Sequence, residues 1–508
     1  MAEKFTKNFK AAHAVSTPLV TIRTFDAKST IEHVKAIVKD GISIIVWDCI
    51  KGFEARKKED ASKLKKAIEN AGSSQELTMQ LQEALRVANH FVDDKGNGDT
   101  IVFLSNAHLF WTDAPTIQGI WNLRDSFKAW GNMLVLLTGN GAILPAELTN
   151  DFLVLDEPLP TAEDLKTIIT DTFEYAKLKK PSDDIINDAT KALIGLPAFT
   201  AEQSTAMCLD TVSKKLDIDG LWERKRQAIN QTRGLSVLQT DANLDNIGGL
   251  EQFKEYLERL MNGEDPPNVI LLWDEIEKHF AGMGTDTSGT TTKMGGNVLT
   301  WSNDIAMRGA IGVGVPGAGK TEIVKAIANK YDRLCISFNL ADMESGLVGS
   351  SNEYLRNAQA VIDSISDKKV LSIATCNKIE SLSPELKRRF ANEGVFFFDA
   401  PNAKEKESIW KIYRKKYGIK DTDPTPNDTG WTGAEIRNCA LKAFRFRISL
   451  EESAKYIVPV TRSDANTIDN LRRSCSGKFL SASYAGTYVY HEQEETAPET
   501  PHSGRKMR

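Results

Sequence analysis

Gly314-Val315-Pro316-Gly317-Ala318-Gly319-Lys320-Thr321 is the stretch on which the reading of this chain turns. Its spacing, G-x-x-x-x-G-K-[ST], is that of a loop whose backbone N–H groups cradle nucleotide phosphates. The small apolar run Ala310–Val313 leads into it as a strand, and Thr321–Lys330 leaves it with helical spacing. Strand, loop and helix in that order are what the chemistry needs. Glycines let the backbone approach the phosphates, and the new helix presents the positive end of its dipole. Lys320 would reach the β- and γ-phosphates, and the Thr321 hydroxyl would hold Mg²⁺. Pro316, Ala318 and Glu322 complete the expected contact set around Gly314, Gly317 and Gly319. The sequence therefore predicts binding of a nucleoside triphosphate.

Bulk properties bound the rest. A chain of 508 residues should hold two to four domains, and 41% hydrophobic with 26% charged residues is ordinary for a globular protein. A net charge of -5 gives no general attraction to nucleic acid or anionic membrane. The six cysteines are scattered without a C-x-x-C pair, which suits free thiols rather than disulfides or a zinc site. The opening residues MAEKFTKNFKAAHA lack the apolar core of a signal peptide, and no apolar run reaches membrane-spanning length. The expectation is a soluble, cytoplasmic protein without membrane insertion.

Short apolar runs alternate with helical patterns along both halves, which implies βαβ units and mostly parallel sheets. Strands are expected at Leu19–Arg23, Ser43–Trp47, Thr100–Leu104, Leu134–Thr138 and Phe152–Leu155, with helices at Thr30–Lys39, Ser74–Phe91 and Thr116–Ala129. The pattern restarts with Val269–Trp273, Ala310–Val313, Leu334–Asn339, Val370–Ala374 and Val395–Phe398. The halves also share local text. Leu134-Val-Leu-Leu-Thr-Gly-Asn140 and Pro145-Ala-Glu-Leu148 correspond to Leu371-Ser-Ile-Ala-Thr-Cys-Asn377 and Pro384-Glu-Leu386. This predicts an internal duplication. After its first strand, however, the N-terminal half has Thr24-Phe-Asp-Ala-Lys28 instead of a phosphate loop. The expected division is a degenerate nucleotide-type domain at 1–160, a helical linker at 161–240, an intact domain at 241–402, a helical lid at 403–490, and a polar, disordered tail at 491–508.

A phosphate loop needs an Asp to order Mg²⁺ and a neighbouring Glu to polarise water. Three strand ends carry candidate acids. Asp156-Glu157 is followed at once by Pro158 and Pro160, and Asp399 is followed by Ala-Pro; both read as terminal strands. Val269-Ile-Leu-Leu-Trp-Asp274-Glu275 ends a buried strand that runs straight into a helix, and it is the preferred candidate. This acidic strand precedes the phosphate loop, whereas it ordinarily follows it. The reading is that the acidic strand and its helix moved ahead of the loop without altering the site.

With these motifs in place, residues from Leu244 to about Phe444 resemble the AAA+ ATPases. The resemblance implies ATP and Mg²⁺ as cofactors and an α/β fold of two P-loop-type three-layer domains. The first would be degenerate and the second an AAA+ module with a helical lid. Ile247 and Gly248 of Asp245-Asn-Ile-Gly-Gly-Leu250 would lie near adenine. Asn377 matches the sensor position that orients water, and Arg437, in Trp431-Thr-Gly-Ala-Glu-Ile-Arg437, is a candidate for the second sensor. Arg389, with Arg388 as alternate, would be an arginine finger reaching a neighbouring subunit. That implies a homo-oligomer, hexameric by the family's habit. Leu347 and Val348 correspond to a pore loop that would grip a client, although no aromatic accompanies them. Over most of the chain, Leu19 to Ser483, the likeness extends to cyanobacterial and plastid AAA proteins known as hypothetical chloroplast reading frames, which share the degenerate first half and Trp-Asp-Glu-Ile-Glu-Lys. The implied activity is ATP-driven remodelling of a partner protein. A nucleic-acid loader or motor, disfavoured by the acidic balance, and a nucleotide-gated assembly scaffold are the alternatives.

Overall fold

The computed structural model describes residues 2–39, 41–92, 98–139, 142–239, 242–280, 290–343 and 350–490. Leu347 and Val348, and the tail from 491, lie outside the described residues. The chain forms two compact units. The first comprises Met1–Val237, Gly282–Met307 and Ile336–Val370; the second comprises Leu238–Ala281, Arg308–Cys335 and Leu371–Arg508. Both are mixed α/β with parallel-dominated sheets, consistent with two P-loop-type domains.

In the first unit the strands are β1 (Leu19–Arg23), β2 (Ser43–Asp48), β3 (Gly52–Ala55), β4 (Thr100–Ser105), β5 (Met133–Thr138) and β6 (Leu153–Asp156). They assemble in the order β3-β2-β4-β5-β1-β6, parallel throughout except where β3 folds back on β2. Successive residues of a strand face opposite ways. Val20, Ile22, Ile44, Val46, Ile101 and Phe103 enter one core, while Leu19, Ile45, Trp47, Val102 and Leu104 enter another. A sheet buried on both faces explains why these strands read as unbroken apolar runs.

Two local differences from the sequence reading have physical causes. The expected helix at Ser74–Phe91 is broken into a short 3₁₀ turn, Leu77–Met79, and a helix, Leu81–Ala88. Fully buried Thr78 decides this: its carbonyl accepts from Trp47 Nε1 at 2.6 Å and its hydroxyl accepts from Phe53 N at 3.3 Å. An unanticipated helix, Ala2–Ala14, buries Phe5, Phe9 and Ala12, which recur at helical spacing. The region expected to be a helical linker, 161–240, has helices Ala162–Tyr175, Asp183–Leu193, Ala198–Cys208 and Ile218–Asn230 around a core that includes Leu165, Ile169, Leu193 and Leu221. It also contains a two-residue antiparallel ladder, β7 (Leu209–Asp210) with β8 (Lys215–Leu216). β9 (Leu235–Val237) follows and pairs antiparallel with Ile336–Phe338.

The second unit holds β10 (Val269–Trp273), β11 (Arg308–Gly314), the start of β12 (Leu334–Phe338), nearly all of β13 (Val370–Cys376), β14 (Gly394–Phe398) and β15 (Leu480–Ser481). Its strand order is β15-β14-β11-β13-β10-β12. β10 comes before β11 in the chain, yet it lies on the far side of β13, between β13 and β12. Phe253, 1% exposed, packs edge-on against Phe396 and Phe398 at ring separations of 4.8 and 5.0 Å. This ties the helix Glu251–Met261 to β14 beneath the phosphate loop. The helices Ala403–Tyr417 and Gly433–Phe446 form a lid with its own core of Ile409, Trp410, Trp431, Ile436 and Cys439.

Candidate functional site

β10, β11 and β13 are neighbouring strands, so loops at their C-terminal ends converge by geometry alone. Within the second unit they surround a cavity of about 610 Å³. Of the residues nominated from sequence, Ile247, Gly248, Asp274, Glu275, Pro316, Gly317, Ala318, Gly319, Lys320, Thr321, Glu322, Asn377 and Arg437 line it. Gly314 stands just behind, its carbonyl accepting from Lys320 Nζ at 2.8 Å. Arg388 and Arg389 end the short helix Pro384–Phe390 and are not among the lining residues.

Backbone proximity explains two of the glycines. A Cβ on Gly314 would sit 2.0 Å from the Phe398 carbonyl oxygen, and Val315 N donates to that same oxygen at 2.9 Å. A Cβ on Gly248 would sit 2.8 Å from Ile409 N, on the lid helix. The loop meets the lid again where Ala434 N donates to Gly317 O at 3.2 Å.

Lys320 is 9% exposed and its ammonium is fully engaged. It donates to the carbonyls of Gly314 and Val315 at 2.8 and 3.1 Å, and to Asn377 Oδ1 at 3.1 Å. Burial pushes its pKa down to about 8, opposed first by the charge of Glu277 and then by Cys376, Asp274 and Glu275. The acids are held by a seam of hydrogen bonds. Asp274 Oδ1 accepts from Thr321 Oγ1 at 3.0 Å and from Thr375 Oγ1 at 2.6 Å. Thr375 Oγ1 also accepts from Glu275 N at 2.9 Å, and Asn377 Nδ2 donates to Glu275 Oε1 at 3.2 Å. Glu275 Oε2 is ion-paired with Lys278. Glu275 itself sits in the left-handed region, with φ 52°, a conformation that costs a non-glycine residue about 1 kcal/mol or more. Such strain is typical where a side chain must be aimed.

Asp274 and Thr321 offer hard oxygen atoms and no sulfur or imidazole, a donor set that fits Mg²⁺. Two protein ligands suffice because Mg²⁺ keeps waters and is shared with substrate phosphates. Further lining residues come from the lid. Ile409 and Tyr413 are four apart on one helix, and Arg437 lies on the next. Burial raises the Tyr413 pKa, and Arg437 opposes the rise. Sequence reasoning missed Thr375, Tyr413 and Glu277. Thr375 had a signal, because it stands two residues before Asn377 and the first half repeats it as Thr138.

Residues 1–157 match the SpoVK-like AAA ATPase, N-terminal domain, and residues 310–364 match the ATPase family associated with various cellular activities. The chain carries AAA ATPase domains. It is homologous to the uncharacterised AAA domain-containing protein ycf46 of Guillardia theta, 23% identical across 94% of this chain and 96% of that one. The ycf46 protein of Gracilaria tenuistipitata var. liui is also 23% identical, across 86% of this chain and 89% of its own length.

The two AAA sheets can be laid strand on strand. The order β6-β1-β5-β4-β2 in the first corresponds to β14-β11-β13-β10-β12 in the second. At the end of β4, Ser105-Asn106 takes the place that Asp274-Glu275 takes after β10. Asn106 even shares the left-handed backbone, with φ 56°. After β1, the helix Ala27–Ile37 receives not a glycine loop but Asp26, whose Oδ1 accepts from Lys28 N and Ser29 N, each at 3.1 Å. A carboxylate of the chain itself thus sits on the amides of this helix N-terminus. Beside it Thr30 Oγ1 donates to Glu157 and lies 2.8 Å from Thr24 Oγ1, and His33 Nδ1 lies 3.3 Å from Glu157 Oε1. Asp156 and Glu157 are therefore committed to this cluster and to Arg23. Asp399 in the second unit lines the cavity but is engaged by Arg472 and Tyr488.

No helix among the described residues is long and apolar enough to cross a membrane.

Proposed function

We propose that the second AAA domain hydrolyses ATP with Mg²⁺, that the first binds no nucleotide, and that turnover remodels a partner protein within a homo-oligomer. One observation carries the ATPase reading. Lys320, Thr321, Asp274, Glu275 and Asn377, from three separated stretches of chain, meet around a single cavity within bonds of 3.0–3.2 Å. In this reading Lys320 leaves its carbonyl partners for the β- and γ-phosphates, and Arg437 lies over the nucleotide from the lid. Thr321 and Asp274 hold Mg²⁺, which would neutralise charge developing on the transferred phosphoryl group. Glu275 accepts a proton from the attacking water while the Asn377 amide orients that water. Asn377 bridges Lys320 and Glu275, so withdrawal of Lys320 by phosphate frees Oδ1 and lets the amide turn.

Assembly enters through Arg389 and Arg388, which lie away from the cavity of their own chain. An arginine supplied by a neighbouring subunit would contribute roughly 10³–10⁵ in rate, so a lone protomer should turn over slowly. A hexamer is the family-based expectation, and Leu347 and Val348 would be the client-gripping residues. In the first domain, Asp26 on the helix amides and Ser105-Asn106 in place of the acidic pair favour an inert, scaffolding role.

The test is ATP binding, turnover and oligomer size for wild type, Lys320→Ala and Glu275→Gln. Lys320→Ala should lose nucleotide affinity by at least about 100-fold, since charge-assisted bonds of roughly 1.5–3 kcal/mol each are removed. Glu275→Gln should bind ATP, fail to hydrolyse it and accumulate the assembled form. Wild-type turnover by Glu275→Gln would remove Glu275 from the mechanism. Turnover stimulated by nucleic acid, with steep salt dependence, would favour a loader instead.

A further inference from the structure

Glu277 does not line the cavity, yet it is placed at the centre of the seam that builds it. Its Oε1 accepts from the backbone N–H of Asn377 at 3.0 Å. Its Oε2 is buried without a well-formed hydrogen bond. The carboxylate lies close to Cys376, whose thiol is pushed up to about 12, by burial first and by Glu277 second. Glu277 is on the short helix Ile276–His279 that follows β10, whereas Asn377 begins the loop after β13. The bond therefore crosses from the acidic strand to the sensor strand.

Two other bonds cross the same seam at Thr375, which lies within β13. Asn377 is one step further out, beyond β13, where no ladder bond restrains it. Its side chain must nevertheless reach Lys320 on one side and Glu275 on the other, at 3.1 and 3.2 Å. A swing of the Asn377 backbone by about 1 Å, enough to cost roughly 100-fold in a positioned reaction, would break both. The charge of Glu277 is not needed for this restraint, because any oxygen acceptor at that place would serve.

We infer that Glu277 is a positioning residue for ATP hydrolysis, whose Oε1 fixes the backbone of Asn377 so that the Asn377 amide stays within reach of Glu275 and the attacking water once Lys320 has moved to the phosphates. The inference rests on the ATPase reading of the site. Glu277 touches neither nucleotide nor water; it acts only through Asn377. Its own contribution is an acceptor at a set distance, so glutamine should replace it and alanine or aspartate should not.

Two measurements on the full chain separate the possibilities. The first is hydrogen exchange of the nucleotide-free protein, read at the peptide containing Asn377. Glu277→Ala should speed exchange of that amide by about fivefold, and Glu277→Gln should leave it at the wild-type rate, since a lost hydrogen bond worth about 1 kcal/mol corresponds to that factor. The second is kcat against nucleotide affinity. Glu277→Ala and Glu277→Asp should lower kcat at least about tenfold with ADP affinity kept within threefold, while Glu277→Gln keeps kcat within twofold. Wild-type exchange or wild-type kcat in Glu277→Ala overturns the inference, as does a Glu277→Gln variant as slow as Glu277→Ala. If turnover in the wild type survives Lys320→Ala, the ATPase reading of the site falls first and the positioning role falls with it. Faster exchange in Glu277→Ala alone would then still mark the bond as real but unconnected to hydrolysis.

Discussion

Replacing Lys225 with methionine should stabilise the helical region of the first unit at neutral pH and lose that advantage in base. Lys225 is 2% exposed on the helix Ile218–Asn230. Its Nζ donates to the Lys191 carbonyl at 3.2 Å and lies 4.9 Å from the centre of the Trp222 ring. Burial lowers its pKa from 10.5 to about 7. The folded protein therefore releases this proton before the unfolded chain does. Between pH 7 and 10.5 the unfolded state binds more protons, and stability rises with pH; below 7 the full cost is present. A displacement from 10.5 to about 7 corresponds to about 5 kcal/mol at 1.36 kcal/mol per pH unit. Methionine avoids that cost but forfeits the hydrogen bond and the ring contact, about 1 kcal/mol each. A net gain of about 3 kcal/mol is expected at pH 6.5. Near pH 9.5 most of the cost has vanished in the wild type, so the advantage should shrink by about 3 kcal/mol. The assay is urea unfolding followed by circular dichroism for both proteins at the two pH values. An advantage of equal size at both would refute the buried-ammonium argument, because groups common to both proteins cancel in the difference.

Other expectations concern the site and its support. Nucleotide titration should give one site per wild-type chain and none in Lys320→Ala; a second site surviving that substitution would contradict the reading of Asp26 as the occupant of the first helix N-terminus. Asp26→Ala should cost about 1 kcal/mol in thermal unfolding, as for other lost helix caps, without adding a nucleotide site. Phe253→Ala removes the ring between Phe396 and Phe398 and should destabilise the second unit by about 3–5 kcal/mol. It should also weaken nucleotide binding, because Phe398 carries the acceptor for Val315 N. Of Arg388→Ala and Arg389→Ala, the one that removes the finger should cut turnover by about 10³-fold or more and leave ATP binding intact. Equal, small losses in both would leave the family-based assignment without support.

Much of the site was legible in one dimension. A phosphate loop is local: eight consecutive residues carry their own backbone geometry, so Gly314–Thr321 could be read without a fold. Parallel strands buried on both faces are also local, as continuous apolar runs, and the ten strands anticipated in the two halves recur with boundaries moved by at most two residues. The choice of Asp274-Glu275 over Asp156-Glu157 and Asp399 needed only the flanking residues. What periodicity could not carry was anything decided by a distant partner. The helix expected at Ser74–Phe91 was broken because Thr78 answers to Trp47 and Phe53, some 25 to 31 residues away.

Strand order is the larger case. The sequence establishes that the acidic strand comes before the phosphate loop, and nothing more; its insertion between β13 and β12 is a matter of sheet pairing. That placement is what brings Asp274 within 3.0 Å of Thr321, 47 residues later, and Glu277 within 3.0 Å of Asn377, 100 residues later. Chain order constrains which loops must connect, but a parallel crossover of a dozen or more residues leaves the neighbour open. Residue types and their local spacing thus named the candidate site, while hydrogen bonding between strands far apart in sequence decided which side chains would share it.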